Sequence, residues 1–296
     1  MPCEPSSSFL WNIDPVFVRF GDTAIRYYSV CFFLVFLVGY SSWRKRMLRG
    51  GHTVHVANSA VPFAVFGVIA GGRLAHCLFY EPDYYLAHPS QILNIGRGGL
   101  ASHGSAAGLL VMFVLYGAIY RISLLEICDR FAISSMFGAC FVRLGNFFNS
   151  EIVGTEWCGP WAVRYERFAQ HSQRIWESSH GPLGWETQPI PRHPVQLYEW
   201  AGMLLVGSIL WWVDRQRGES APRGQQTGLL LVLYFSFRFA LEGVKEFQRF
   251  AAREADFANQ VIHVVPTADV TMGQWLSLPF VVAGGLLLLR AHLRAS

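Results

Sequence analysis

Six polar side chains interrupt long apolar runs: Arg73 in GGRLAH, His103 in GLASHGSAAG, Arg143 and Asn146 in FVRLGNFFNSE, and Arg238 with Glu242 in YFSFRFALEG. A charged side chain at the centre of a bilayer costs about 2.5–3.5 kcal/mol on insertion scales, so each needs a partner, an aqueous cavity or a function. Arginine stays charged when desolvated, and its planar fork grips phosphate through two parallel hydrogen bonds. Arg143, Asn146 and Ser150 stand at i, i+3 and i+7 and share a helix face if the helix continues that far. Arg238 and Glu242 stand at i and i+4, a spacing that lets the carboxylate orient the guanidinium. Histidine as a residue type suits proton transfer near neutrality, so His103 is a candidate general base, although a lone histidine at a helix end is more often a hydrogen-bonded structural residue. Taken singly, an arginine here is as readily a snorkelling or carboxylate-paired residue; Arg143, Arg238 and His103 together are harder to explain that way.

The elements that must position these groups are seven apolar blocks, at about 24–42, 56–79, 99–120, 127–148, 196–213, 227–247 and 271–290. Each is about as long as the 20 residues a helix needs to cross a bilayer. Basic residues cluster in alternate loops: Arg44, Lys45, Arg46 and Arg49 after the first block, Arg121 and Arg130 around the turn between the third and fourth, Arg215, Arg217 and Arg223 after the fifth, Arg290 and Arg294 after the seventh. By the positive-inside rule, the amino terminus lies outside and the carboxyl terminus in the cytoplasm. On that topology Arg73 sits about 9 Å from the outer end of its helix, Arg143 about 8 Å and Arg238 about 14 Å, at ~1.5 Å per residue. His103 and Tyr28 fall about 6 Å below the same surface. Five residues on five helices thus share the outer half of the membrane. Glycines at 67, 71, 72, 104, 108, 138 and 145 would let the helices approach closely. The expectation is a polar pocket open to the outer leaflet, with arginines at headgroup depth for an anionic phospholipid.

Composition agrees with a membrane protein. Hydrophobic residues make up 52% of the 296, and charged residues only 15%, where a soluble domain carries about 25%; the mean hydropathy is +0.28. The chain reads as one all-α membrane domain over 1–296. Its stretch 150–195, rich in Gly, Pro, Trp and charge, forms a small external head between the fourth and fifth spans. A second external stretch, 248–270, is polar. The first block is followed by WRKRMLR rather than a small-residue cleavage site, so it is not a cleavable signal peptide. No nucleic-acid partner is expected. Cys31 and Cys140 read as small apolar residues within spans; Cys3 and Cys158 look external, with nothing to support pairing them. Without a CxxC or a His/Cys cluster, neither metal nor cofactor is expected.

At these residues the sequence resembles bacterial prolipoprotein diacylglyceryl transferases. RLGNFFNSEIVG at 143–154 is the best match. In family order around it stand IRYYSV at 25–30, GGRLAHCLFY at 71–80, SHG at 102–104, RHPVQLYE at 192–199, RFALEGVKEF at 238–247 and MGQWLSLP at 272–279. Ser105 replaces a second glycine that family members usually show. The resemblance implies seven spans with an external, periplasmic head in the bacterial cytoplasmic (inner) membrane. It also implies transfer of diacylglyceryl from phosphatidylglycerol to the lipobox cysteine at a prolipoprotein signal peptide. The product is a thioether, and glycerol phosphate leaves. Carried over by motif, the functional candidates are Tyr28, His103, Arg143, Asn146, Asn149, Glu151, Gly154, Arg238 and Glu242, beside Arg73 from the residue reading.

The chemistry expected is attack of a thiolate on a glycerol carbon with phosphate leaving. Arg143 and Arg238 stabilise the growing charge in a low-dielectric pocket, Glu242 orients Arg238, and Asn146 bonds the headgroup. His103 serves as the base or positions the headgroup; Tyr28, Arg73, Asn149, Glu151 and Gly154 bind substrate. Two other readings use the same arginines: a phospholipid transporter, which should show an inverted repeat, and another headgroup enzyme such as a phosphatase, which should show a nucleophile or metal cluster. Neither feature is visible.

Overall fold

A computed structural model describes residues 8–95, 99–180, 188–246 and 271–294. The expected external stretch 248–270 and part of the head (181–187) lie outside the described residues.

Long helices form wherever the apolar blocks predict them. They are α1 (Tyr27–Arg49), α2 (Val54–Phe79), α4 (Ser102–Tyr120), α5 (Leu124–Asn149), α7 (Val195–Arg217), α8 (Gln225–Leu241) and α9 (Met272–Leu293), with α3 (Pro82–Ala87) and α6 (Glu166–His180) as short additions. Five of them, α2, α4, α5, α8 with its following turn, and α9, are long and apolar enough to cross a membrane. The other two are no shorter than α9, at 23 residues each. Basic residues close α1, and α7 carries Gln196, Glu199 and Asp214 among its buried positions.

The helices pair as α2 with α4, α1 with α5, α5 with α7, and α8 with α9. Small residues make two of these pairings possible. A Cβ on Gly71 would lie 2.3 Å from the Gly104 carbonyl oxygen, and one on Gly108 would lie 2.1 Å from that of Gly67, so α2 and α4 touch backbone to backbone. Ser105 sits in this seam and donates its hydroxyl to the Val68 carbonyl at 2.9 Å. Gly228 and Gly284 bring α8 and α9 together in the same way.

Short strands occupy one end of the bundle. β1 (Phe9–Trp11) runs parallel to β4 (Val163–Tyr165), which pairs with β5 (Pro191–Arg192). A separate hairpin joins β2 (Val16–Phe20) to β3 (Thr23–Arg26) around Gly21, whose φ of +56° suits glycine. Trp11, Phe147, Val153, Val163 and Tyr165 form the core beneath this sheet, which seats it on the end of α5. The 150–195 segment is therefore joined by the amino terminus, a partnership that the sequence reading did not include. The reading of the cysteines is also corrected: Cys158 is disulfide-bonded, whereas Cys31, Cys77, Cys128 and Cys140 are free.

Candidate functional site

The ends of α5, α7 and α8 next to the sheet converge on one carboxylate. Glu199, in the second turn of α7, is 1% exposed. Its Oε2 lies 2.9 Å from Arg143 Nε and its Oε1 2.8 Å from Arg238 Nη1, with Lys245 Nζ at 3.6 Å. The Arg143 contact is off the N–H axis and is an ion contact rather than a hydrogen bond. Arg238 Nη2 reaches Glu242 Oε2 at 3.0 Å, the i, i+4 pair expected. Gly273 in the first turn of α9 leaves room for that carboxylate, since a Cβ there would fall 2.3 Å from Glu242 Oε1.

The chain beyond Arg143 continues the network outward. Arg143 Nη1 donates to Asn146 Oδ1 at 3.4 Å, Asn146 Nδ2 to Glu151 Oε2 at 3.3 Å, and Asn149 Nδ2 to Glu151 Oε1 at 2.9 Å. The helix does not continue to Ser150. Ser150 caps α5 in the left-handed region at φ +57°, and Ile152 follows at φ +56°. A left-handed β-branched residue is a strained choice, costing on the order of 1–3 kcal/mol. Here the two turns bring Glu151 back onto both asparagines. The Glu151 carbonyl accepts from Gln196 at 2.7 Å, tying this turn to α7.

Two more expected residues border the knot. Tyr28, in the first turn of α1, packs its ring where a Cβ on Gly145 would come within 2.8 Å. Gly154 pairs with Lys245 in an isolated bridge. A Cβ at Gly154 would meet the His193 carbonyl oxygen at 2.6 Å, so the close approach needs glycine. Arg192 then clamps the junction, donating to the Gly154 carbonyl at 3.1 Å and to Glu246 at 2.7 Å.

Two expected residues stand apart. Arg73 is 4% exposed, and its guanidinium holds the backbone carbonyls of Gln91, Ile92, Asn94 and Gly99, with the Tyr85 ring beneath it. The structure gives it a loop to hold and does not bring it to Glu199. His103 is exposed in the first turn of α4, and no hydrogen bond or ion pair among the described residues joins it to the arginines.

Sequence reasoning missed Glu199 and Lys245. The signal was present: an acidic residue inside the block 196–213 demands a cation by the same cost that singled out the arginines. Lys245 lies at the end of the block 227–247, where a snorkelling lysine draws no notice. Among the described residues no group of three or more His, Cys, Asp and Glu could hold a metal ion.

Residues 15–290 match the family model described as prolipoprotein diacylglyceryl transferase. A protein of Tolumonas auensis named phosphatidylglycerol–prolipoprotein diacylglyceryl transferase is 37% identical over 94% of this chain and 96% of its own length. Proteins of the same name from Chloroherpeton thalassium and Cupriavidus necator are 35% and 34% identical; they cover 97% and 96% of this chain and 96% and 94% of their own lengths.

Proposed function

This chain belongs to the prolipoprotein diacylglyceryl transferase family, and we propose that the ionic knot around Glu199 is where its reaction takes place. The enzyme transfers the diacylglyceryl group of phosphatidylglycerol to the lipobox cysteine of a prolipoprotein, releasing glycerol phosphate. Family membership decides against the transporter and phosphatase readings.

In the reaction, sulfur bonds to the terminal glyceryl carbon while the carbon–oxygen bond to phosphate breaks. The electron pair stays on the departing phosphate, and the thiol proton goes to a base. A free thiol ionises at a pKa of about 8.5, so a base or a positive field must favour the thiolate. Arg143 and Arg238 bind the phosphate and stabilise its growing charge. Glu242 holds Arg238, Asn146 bonds the headgroup, and Glu151, Asn149, Tyr28 and Gly154 shape the surrounding wall. His103 takes the proton or orients the headgroup, and Arg73 fixes the loop beside it.

The protein is a multi-pass membrane protein. We read it as seven passes with the amino terminus and head outside and the carboxyl terminus in the cytoplasm. Two observations support this: the arginine asymmetry of the loops, and the Cys158 disulfide, since such bonds persist in oxidising compartments.

The observation that carries the site assignment is the joining of Arg143 and Arg238 through one buried carboxylate. Replacing either arginine by Ala should cost about 100- to 1,000-fold in transfer rate, as loss of an oxyanion-type donor does. Melting temperature and transfer are measured on the same purified variants. Lost turnover with an unchanged melting temperature supports the assignment; near-normal turnover in folded protein defeats it.

A further inference from the structure

We propose that Glu199 is the positioning residue of the phosphate site, and that its charge matches the site to a phosphodiester rather than to a phosphate monoester. This rests on the transferase reading above. Glu199 lies beneath the arginines: its side chain is 2% exposed, theirs 17% and 24%. Because one carboxylate takes Arg143 through Nε and Arg238 through Nη1, both guanidiniums are fixed relative to each other. Among the described residues, Arg143 Nη2 and Arg238 Nε have no hydrogen-bond acceptor, so each arginine keeps donors for a shared anion.

The formal charges of the knot are then countable. Arg143, Arg238 and Lys245 supply three positive charges, and Glu199 and Glu242 two negative ones, leaving one positive. Glu151 stands further out and exposed, facing the amides of Asn146 and Asn149 rather than either guanidinium, and is counted with the wall rather than with the knot. A phosphodiester such as the substrate carries one negative charge. The departing phosphate monoester carries about 1.5–2 near neutrality, because its second pKa is about 6. The knot therefore balances the substrate and leaves the product about half to one charge in excess, which favours its release. Without the Glu199 charge the knot would be doubly positive and would match the product instead.

The test compares two inhibitors of peptide lipidation at pH 8: glycerol phosphate, a dianion, and glycerophosphoglycerol, a diester monoanion with the substrate's headgroup. Wild type should hold the diester at least as tightly as the monoester. Glu199→Gln should reverse that order, tightening glycerol phosphate by about tenfold or more, since a unit charge only one guanidinium away from the phosphate still repels it appreciably when partly screened. Glu199→Asp keeps the charge but shortens the reach; it should keep the wild-type order while losing kcat. An unchanged order in folded Glu199→Gln would overturn the proposal. Should that variant not fold, the wild-type order still decides, because tighter binding of the monoester than of the diester contradicts the charge match. Failure of wild-type protein to lipidate the peptide at all would instead count against the transferase reading.

Discussion

Arg143 and Arg238 share Glu199 but differ in their second partner. Arg143 turns to the neutral amide of Asn146, and Arg238 to the carboxylate of Glu242. Loss of Glu242 should therefore leave Arg238 anchored on one side only. Glu242→Gln removes the 3.0 Å ion contact to Arg238 and is expected to lower kcat by about tenfold, less than Arg238→Ala does. Arg143→Lys and Arg238→Lys keep the charge but lose the fork that holds Glu199 and phosphate at once, so both should be impaired as well; steady-state transfer kinetics check all three. The arginines were legible in the sequence because a charge in an apolar run must be accounted for. Glu199 answers to the same rule, yet its role is visible only once α5 and α8 are brought to α7. The opposite happened with Arg73: depth suggested a ligand for the lipid, while the fold gives its fork to four carbonyls of its own chain.

At the scale of elements, the helices were predictable from apolar length, and their pairing partly from glycine. Gly71→Val should strike the α2–α4 seam directly, since the atom it meets is backbone and cannot rotate away. A loss of at least about 1–3 kcal/mol is expected, as for overpacked cores, read as a lower melting temperature. The far end of the bundle is tied by charge. Asp214 and Glu219 receive Arg49, Arg46 and Arg130 across α1, α5 and α7. Burial alone would raise the pKa of Glu219, but hydrogen bonds from Arg130 and Arg49 outweigh it and hold the carboxyl below its ordinary range. A depressed folded-state pKa stabilises above the unfolded value of about 4.3 and fades as pH falls through the lower one. Glu219→Gln should thus lower the melting temperature modestly at pH 7, with the difference from wild type shrinking below about pH 4. The strands were not legible. β1 has three residues, and its partner β4 lies more than 150 positions away, so no local pattern announces it.

For the whole molecule, the two ends differ in kind: strands, a disulfide and the Glu199 knot at one, loop arginines at the other. With the head outside, cysteine introduced at Gln170 should react with an impermeant maleimide in intact cells, and cysteine at Gln216 only after permeabilisation. The reverse labelling would invert the topology. Chelation offers a second global check, and EDTA is expected to leave transfer unchanged; loss of transfer restored by a divalent ion would overturn the metal-free scheme. The central claim is that this molecule joins a lipid to a thiol. It is tested most directly by incubating the purified protein with phosphatidylglycerol and a lipobox peptide, then weighing the peptide by mass spectrometry. The account predicts a diacylglyceryl adduct on the cysteine, absent when that cysteine is serine, with glycerol phosphate released in equal amount. An unmodified peptide beside folded protein, or an adduct that survives the serine substitution, would contradict it.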